Sequence, residues 1–249
     1  MRKDILVSDE IYHLYNRGVD KREMFMDDSF YSRFFSILAH YLKYDYPYSR
    51  LLTRKRNNED LQSLALKMER HKWEKPPIEI LGCCLLPNHF HLQVKQLVEN
   101  GVTTFMHRIG TSYTNYFNIR LERSGRLFQG PFKSVRVENE GQFLCLNRYI
   151  HVNPIPAGLV TRNSLGFWKW SSLPAYLGKH KDSPFSLEMV LSYFKDTKDY
   201  LSFVLADFPE FGDQVLEGLS IDDDFGWFER FEEEKKRLRR EFIDSFERG

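Results

Sequence analysis

Cysteine is scarce in this chain: Cys83, Cys84 and Cys145 are the three present in 249 residues. Two of them are adjacent, so they cannot build a disulfide framework, and the usage fits a reducing, cytoplasmic compartment. No apolar run approaches the ~18 residues of a membrane span, which excludes a helical membrane protein. The start, Met1-Arg-Lys-Asp, leads into Ile5-Leu-Val and then charge, without the apolar stretch of a secretory signal. Internal repeats and low-complexity tracts are missing too. Net charge is nearly absent, with 36 Lys and Arg against 35 Asp and Glu. What is present is 42% hydrophobic and 15% aromatic residues, enough to bury one large core or a core with an appendage.

The near-zero charge conceals a polarity. Residues 1–170 hold 25 Lys and Arg against 17 Asp and Glu, and residues 171–249 hold 11 against 18. Such asymmetry fits nucleic-acid contact on the basic side, and equally an uneven solvated surface. The motifs must decide.

Residues 11–17, Ile-Tyr-His-Leu-Tyr-Asn-Arg, alternate as a strand does, and Gly18 closes the run. Asp27 and Asp28 read as the cap and first turn of a helix carrying Phe30, Phe34, Ile37, Leu38 and Tyr41 on one face. Residues 45–75 look like an insertion, with Arg54-Lys55-Arg56, a short helical pattern over Leu61–Met68 and a stop at Pro76-Pro77. Ile78–Leu85 and His89–Gln96 form a hairpin about Leu86-Pro87-Asn88. A helix from about Thr103 to Leu121, a strand over 132–138 and a helix over Glu140–Val152 follow. The order β-α-β-β-α-β plus a following helix is the split βαβ, ferredoxin-like or RRM-like pattern: an α+β fold with an antiparallel sheet and helices on one face. Beyond residue 170 the pattern is a helical extension, with Leu187–Phe194, Tyr200–Phe208 and Phe225–Phe246 as candidates.

Three segments carry chemistry. In Pro87-Asn-His-Phe-His-Leu92, a strand puts His89 and His91 on one face and Phe90 and Leu92 on the other. Two imidazoles on one face can converge on a divalent cation; they also fit a pair of hydrogen-bonded surface histidines. In Asn147–Pro154, Tyr149 and Asn153 stand one helical turn apart. A phenol, with its ordinary pKa of ~10, becomes a nucleophile only beside a cation or basic groups. Tyr149 is otherwise a packed aromatic, and Asn153 the residue that ends a helix before Pro154. Residues 113–136 interleave Arg120, Arg123, Arg126, Lys133 and Arg136 with aromatics, as a phosphate-binding, base-stacking surface does. Tyr113, Phe117 and Phe132 among those aromatics suit the core. His13 lies beside the histidine pair if its strand is central; the alternative is a structural hydrogen bond. His151, two residues beyond Tyr149, points elsewhere on a helix, and one of the adjacent Cys83 and Cys84 should face the core.

The chain resembles the REP-associated tyrosine transposases, in the single-tyrosine branch of the HUH (His-hydrophobic-His) endonucleases. The stretches that carry the likeness occur in the family order over roughly residues 9–178. They are Tyr12-His-Leu-Tyr-Asn-Arg-Gly18, Leu86-Pro-Asn-His-Phe-His-Leu92, Tyr113-Thr-Asn-Tyr-Phe-Asn118, Gly125-Arg-Leu-Phe-Gln-Gly-Pro-Phe-Lys133, Tyr149-Ile-His-Val-Asn-Pro-Ile-Pro-Ala-Gly158 and Trp170-Ser-Ser. The likeness departs at Arg126, Pro131 and Pro156, and in the length of the 45–75 insertion.

The resemblance implies a catalytic domain over 1–170 and a helical extension over 171–249. It implies that His89 and His91 bind Mg²⁺ or Mn²⁺, that Asn153 stands where a third polar ligand falls, and that Tyr149 is the nucleophile. Arg17, Arg120, Arg123, Arg126, Lys133 and Arg136 would contact nucleic acid. The reaction implied is cleavage and rejoining of single-stranded DNA through a 5′-phosphotyrosine, on the hairpin-forming REP palindromes of bacterial genomes. A monomer or homodimer acting in the bacterial cytoplasm at the nucleoid, without a membrane, follows. The competing expectations are a REP-hairpin binder that does not cut, and another HUH enzyme such as a replication initiator or relaxase. The acidic tail is expected to fold near the basic groove and compete with DNA.

Overall fold

The strand β1 (Ile11–Arg17) forms where the alternation predicts it, and the alternation decides what each residue faces. In the computed structural model, which describes residues 5–50, 61–180 and 182–206, β1 is central in a sheet of order β2-β3-β1-β4. The other strands are β2 (Ile78–Leu86), β3 (His89–Gln96) and β4 (Lys133–Arg136). All neighbours are antiparallel. This is the predicted split βαβ sheet.

Tyr12 and Leu14 of β1 and Phe90, Leu92 and Val94 of β3 line one face and are buried. Two crossover helices cover it, α1 (Asp28–Lys43) and α3 (Gly101–Arg120). The Asp27 carboxylate accepts from the Ser29 N–H at 2.7 Å and caps α1 as its sequence position suggests. Phe34 of α1 meets Phe90 of β3 and Tyr113 of α3 at ring-centroid distances of 5.2 and 4.9 Å. Burying such an aromatic cluster stabilises the fold: truncating Phe90 to alanine costs about 3–5 kcal/mol.

Between the two, the insertion is described in part. Its helix α2 (Leu61–Glu69) appears where the short helical pattern places it, and Leu64 and Met68 pack with Tyr46 against the end of α1. Trp73 ties the segment back, its indole N–H donating to the Tyr41 carbonyl at 3.0 Å. Arg54-Lys55-Arg56 lie outside the described residues.

Helices were expected on one face alone, but the other face is covered too, by α4 (Glu140–Val152), the short helices α5 (Leu173–Tyr176) and α6 (Glu188–Leu191), and α7 (Thr197–Leu205). Irregular pairing between Ile80 and Gly82 of β2 lets this happen. It sends Ile80, Cys83 and Leu85 to the first core and Leu81, Cys84 and Leu86 to the second. A Cβ at Gly82 would lie 3.1 Å from the Asn147 amide nitrogen and 3.3 Å from Gln93, so the glycine makes room for α4. Both cysteines are buried and free, one in each core, where strand alternation alone places just one of them inward. The described part of the extension is built into this second core. Residues 170–172 run beside β2, where Leu85 N–H donates to the Trp170 carbonyl and Ser172 N–H to the Cys83 carbonyl. The predicted helix over Phe225–Phe246, and with it the acidic tail, lies outside the described residues.

Candidate active site

Cross-strand partners share a face, and the register therefore assembles the site. Arg17 pairs with His89, Tyr15 with both His91 and Lys133, and His13 with Gln93. One polar sheet face thus carries His13, Tyr15, Arg17, His89, His91, Gln93 and Lys133, opposite the aromatic core. The Tyr15 and His91 rings stack at 6.4 Å, and the Lys133 ammonium sits 5.8 Å from the Tyr15 ring centre.

Over this face lies α4. Asn139 caps its start by accepting from the Gln142 N–H at 2.9 Å. Tyr149 points from α4 at the histidines: its ring centroid is 5.5 Å from that of His91 and 6.0 Å from that of His13. The side chain is buried, with 1% of its surface exposed. Asn153, buried at the end of α4, donates its amide to the Tyr149 carbonyl at 2.8 Å. Strand and helix thereby bring together His89, His91 and Tyr149, which the sequence placed on separate elements.

Both histidines of the pair are neutral near pH 7. Burial first, and then the Arg17 cation, lower the His89 pKa to about 4. Burial, with His89 and His13 alongside, holds His91 well below the ordinary value. His89 Nδ1 lies 2.6 Å from the Asn88 side-chain oxygen. His91 Nδ1 lies 3.0 Å from His13 Nε2, while His91 Nε2 is buried and has no hydrogen-bond partner among the described residues. A neutral imidazole with an unengaged nitrogen is the form that ligates a divalent cation, so the residues present fit such an ion. Among the described residues no group of three or more His, Cys, Asp or Glu could hold a metal ion. A bound ion would accordingly keep positions for water or phosphate oxygens, as Mg²⁺ prefers.

A buried polar network fixes α4 on the sheet. Cys83 N–H donates to Ser172 Oγ at 2.9 Å, and Ser172 Oγ lies 2.6 Å from His151 Nε2. His151 Nδ1 lies 2.7 Å from the Tyr200 oxygen, whose hydroxyl donates to Asn147 Oδ1 at 2.7 Å. Asn147 donates to Gln93 Oε1 at 2.8 Å, and Gln93 to the Phe143 carbonyl at 2.9 Å. Since the Tyr200 proton goes to Asn147, His151 carries its own proton on Nδ1 and accepts from Ser172. His151 thus faces away from the histidine pair, as its place on the helix implies. Tyr200, Asn147, Gln93 and Ser172 carried no catalytic signal in sequence; only the Trp170-Ser-Ser stretch hinted at Ser172.

The basic residues divide into groups. Arg17 and Lys133 flank the histidine pair, with Arg17 also hydrogen-bonded to Gln129. Arg123 lies over the Phe117 ring at 5.5 Å and bonds the Asn118 side chain and the Arg126 carbonyl, bracing the turn after α3. Arg120 is exposed on the last turn of α3. Arg126 borders a cavity of about 530 Å³ with His107, Asn115 and Phe128, which His89, His91 and Tyr149 do not line. Arg136 makes a two-toothed pair with Glu10, at 2.6 and 3.1 Å. No helix among the described residues is long and apolar enough to cross a membrane.

No family model matches this sequence, and no curated protein does. Among solved structures, one of a REP-associated tyrosine transposase bound to a REP hairpin is similar, with 15% identity and a TM-score of 0.47. The match covers 75% of this chain and 89% of that one.

Proposed function

We propose that this chain cleaves and rejoins single-stranded, hairpin-forming DNA by metal-assisted transesterification, with Tyr149 as the nucleophile. The observation that supports this reading is the convergence of two neutral histidines of β3 and a tyrosine of α4 on one sheet face, flanked by Arg17 and Lys133. The six motif stretches in the family order support REP palindromes as the DNA and the bacterial cytoplasm as the compartment.

His89 and His91 would hold Mg²⁺ or Mn²⁺, with Asn153 as the candidate third ligand. When bound, the cation supplies Lewis-acid stabilisation of charge developing on a phosphoryl oxygen. The residues of the chain do the rest. Arg17 and Lys133 attract and orient the phosphodiester. The Tyr149 phenol loses its proton and its oxygen bonds to phosphorus. The bond from phosphorus to the 3′ oxygen breaks, and that oxygen takes up a proton. The products are a 5′-phosphotyrosine and a free 3′-OH, and attack by that hydroxyl reverses the step without an external energy source. Tyr149 is 1% exposed in the free protein, so the phosphate meets it only after the surrounding side chains part.

The test is cleavage of a labelled single-stranded REP hairpin with Mn²⁺ or Mg²⁺. Cutting that stops with chelator or with His89→Ala, while binding persists, is the expected result. Tight binding with no cutting under any metal would favour the hairpin-binding reading instead.

A further inference from the structure

We propose that His13 is a positioning residue for the metal site: its Nε2 accepts the Nδ1 proton of His91 and so turns the bare Nε2 of His91 toward the cation. This rests on the metal reading given above and deepens it.

The geometry carries the inference. His13 Nε2 and His91 Nδ1 are 3.0 Å apart, with both side chains buried. One of the two nitrogens must donate. If His13 donated, the His91 proton would sit on Nε2, which is buried and has no acceptor among the described residues. That arrangement would bury a donor without a partner and block the ligating atom. If His91 donates from Nδ1, its Nε2 lone pair is left for a metal ion, and both ring orientation and tautomer are set.

The same contact excludes His13 as a third ligand through Nε2, since that atom is engaged with His91. The fold makes the contact possible because His13 and Tyr15 alternate onto the polar face of the central strand. There Tyr15 is the register partner of His91, and His13 sits one pleat further on, opposite Gln93.

The test measures Mn²⁺ affinity of the full chain by electron paramagnetic resonance, without DNA. His13→Leu should weaken binding by about 10- to 100-fold, the usual effect of losing such a partner. His13→Gln, whose side-chain oxygen can accept from His91, should stay within roughly threefold of the wild type. Unchanged affinity in His13→Leu, or equal loss in both variants, overturns the assignment. So does a pair of variants that bind Mn²⁺ normally yet fail to cut DNA, because His13 would then act on the nucleophile. Nitrogen-15 NMR of the metal-free wild type reads the tautomer directly and does not depend on a variant folding. His91 should carry its proton on Nδ1, and a proton on Nε2 contradicts the proposal. Absence of Mn²⁺ binding in the wild type removes the metal reading itself, a failure distinct from the others.

Discussion

Tyr149 stands edge-on to His91, with ring centroids 5.5 Å apart and planes at 85°. One belongs to a helix and the other to a strand, so their separation is only as fixed as the packing of α4 on the sheet. The Ser172–His151–Tyr200–Asn147–Gln93 network supplies that packing in hydrogen bonds.

Tyr200→Phe therefore tests the network. It removes the donor to Asn147 and the acceptor for His151 and leaves both groups buried. The expected cost is about 1–3 kcal/mol for each group left unsatisfied, read as a lower unfolding midpoint. Cleavage should slow while hairpin affinity stays near the wild-type value, because no DNA-facing cation has moved. An unchanged midpoint would mean that the network does not hold α4.

The cations around the site should differ in their salt dependence. Arg17→Ala and Lys133→Ala should each weaken hairpin binding and reduce the slope of log affinity against log salt by about 1. Arg136→Ala should change that slope least, since Glu10 already takes its charge in a two-toothed pair. Binding titrations from low to moderate salt check this, and a larger slope change for Arg136 than for Arg17 would reverse the assignment.

Acid should destabilise the metal-free fold through its buried histidines. Burial lowers the His151 pKa to about 3 and holds His91 well below the ordinary value. The folded-state values lie below the unfolded ones, so the unfolded chain binds more protons between roughly pH 4.5 and 6.5. Stability should rise with pH through that window, by about 1.4 kcal/mol per unit for each histidine, and level off above it. Denaturant unfolding in chelator measures it. A flat profile from pH 4.5 to 6.5 would contradict the neutral, buried state of these rings.

Much of the fold was legible because strand alternation and helical spacing are local. Residues 11–17 and 140–152 form their elements within the predicted bounds, and the hairpin about Pro87-Asn88 follows from turn chemistry. His89 and His91 were visible as a motif, yet their neutrality and their distance from Tyr149 were not. Both depend on which face α4 covers, and that is set by irregular pairing at Gly82 and by polar groups as far away in sequence as Tyr200. His13 shows the same limit: the sequence offered either a place beside the histidine pair or a structural hydrogen bond, and the structure unites them in the bond to His91. The basic stretch read as one surface separates into Lys133 at the site, Arg123 in a brace and Arg136 in an ion pair, because charge in a sequence does not reveal its partner.

The central claim is the covalent role of Tyr149. Incubating the full chain with a labelled REP hairpin and Mn²⁺, denaturing, digesting and sequencing the labelled peptide by mass spectrometry tests it most directly. The expected result is a nucleotide joined through its 5′ phosphate to Tyr149, absent in Tyr149→Phe while hairpin binding remains. An adduct on another residue, or one that survives Tyr149→Phe, would contradict it.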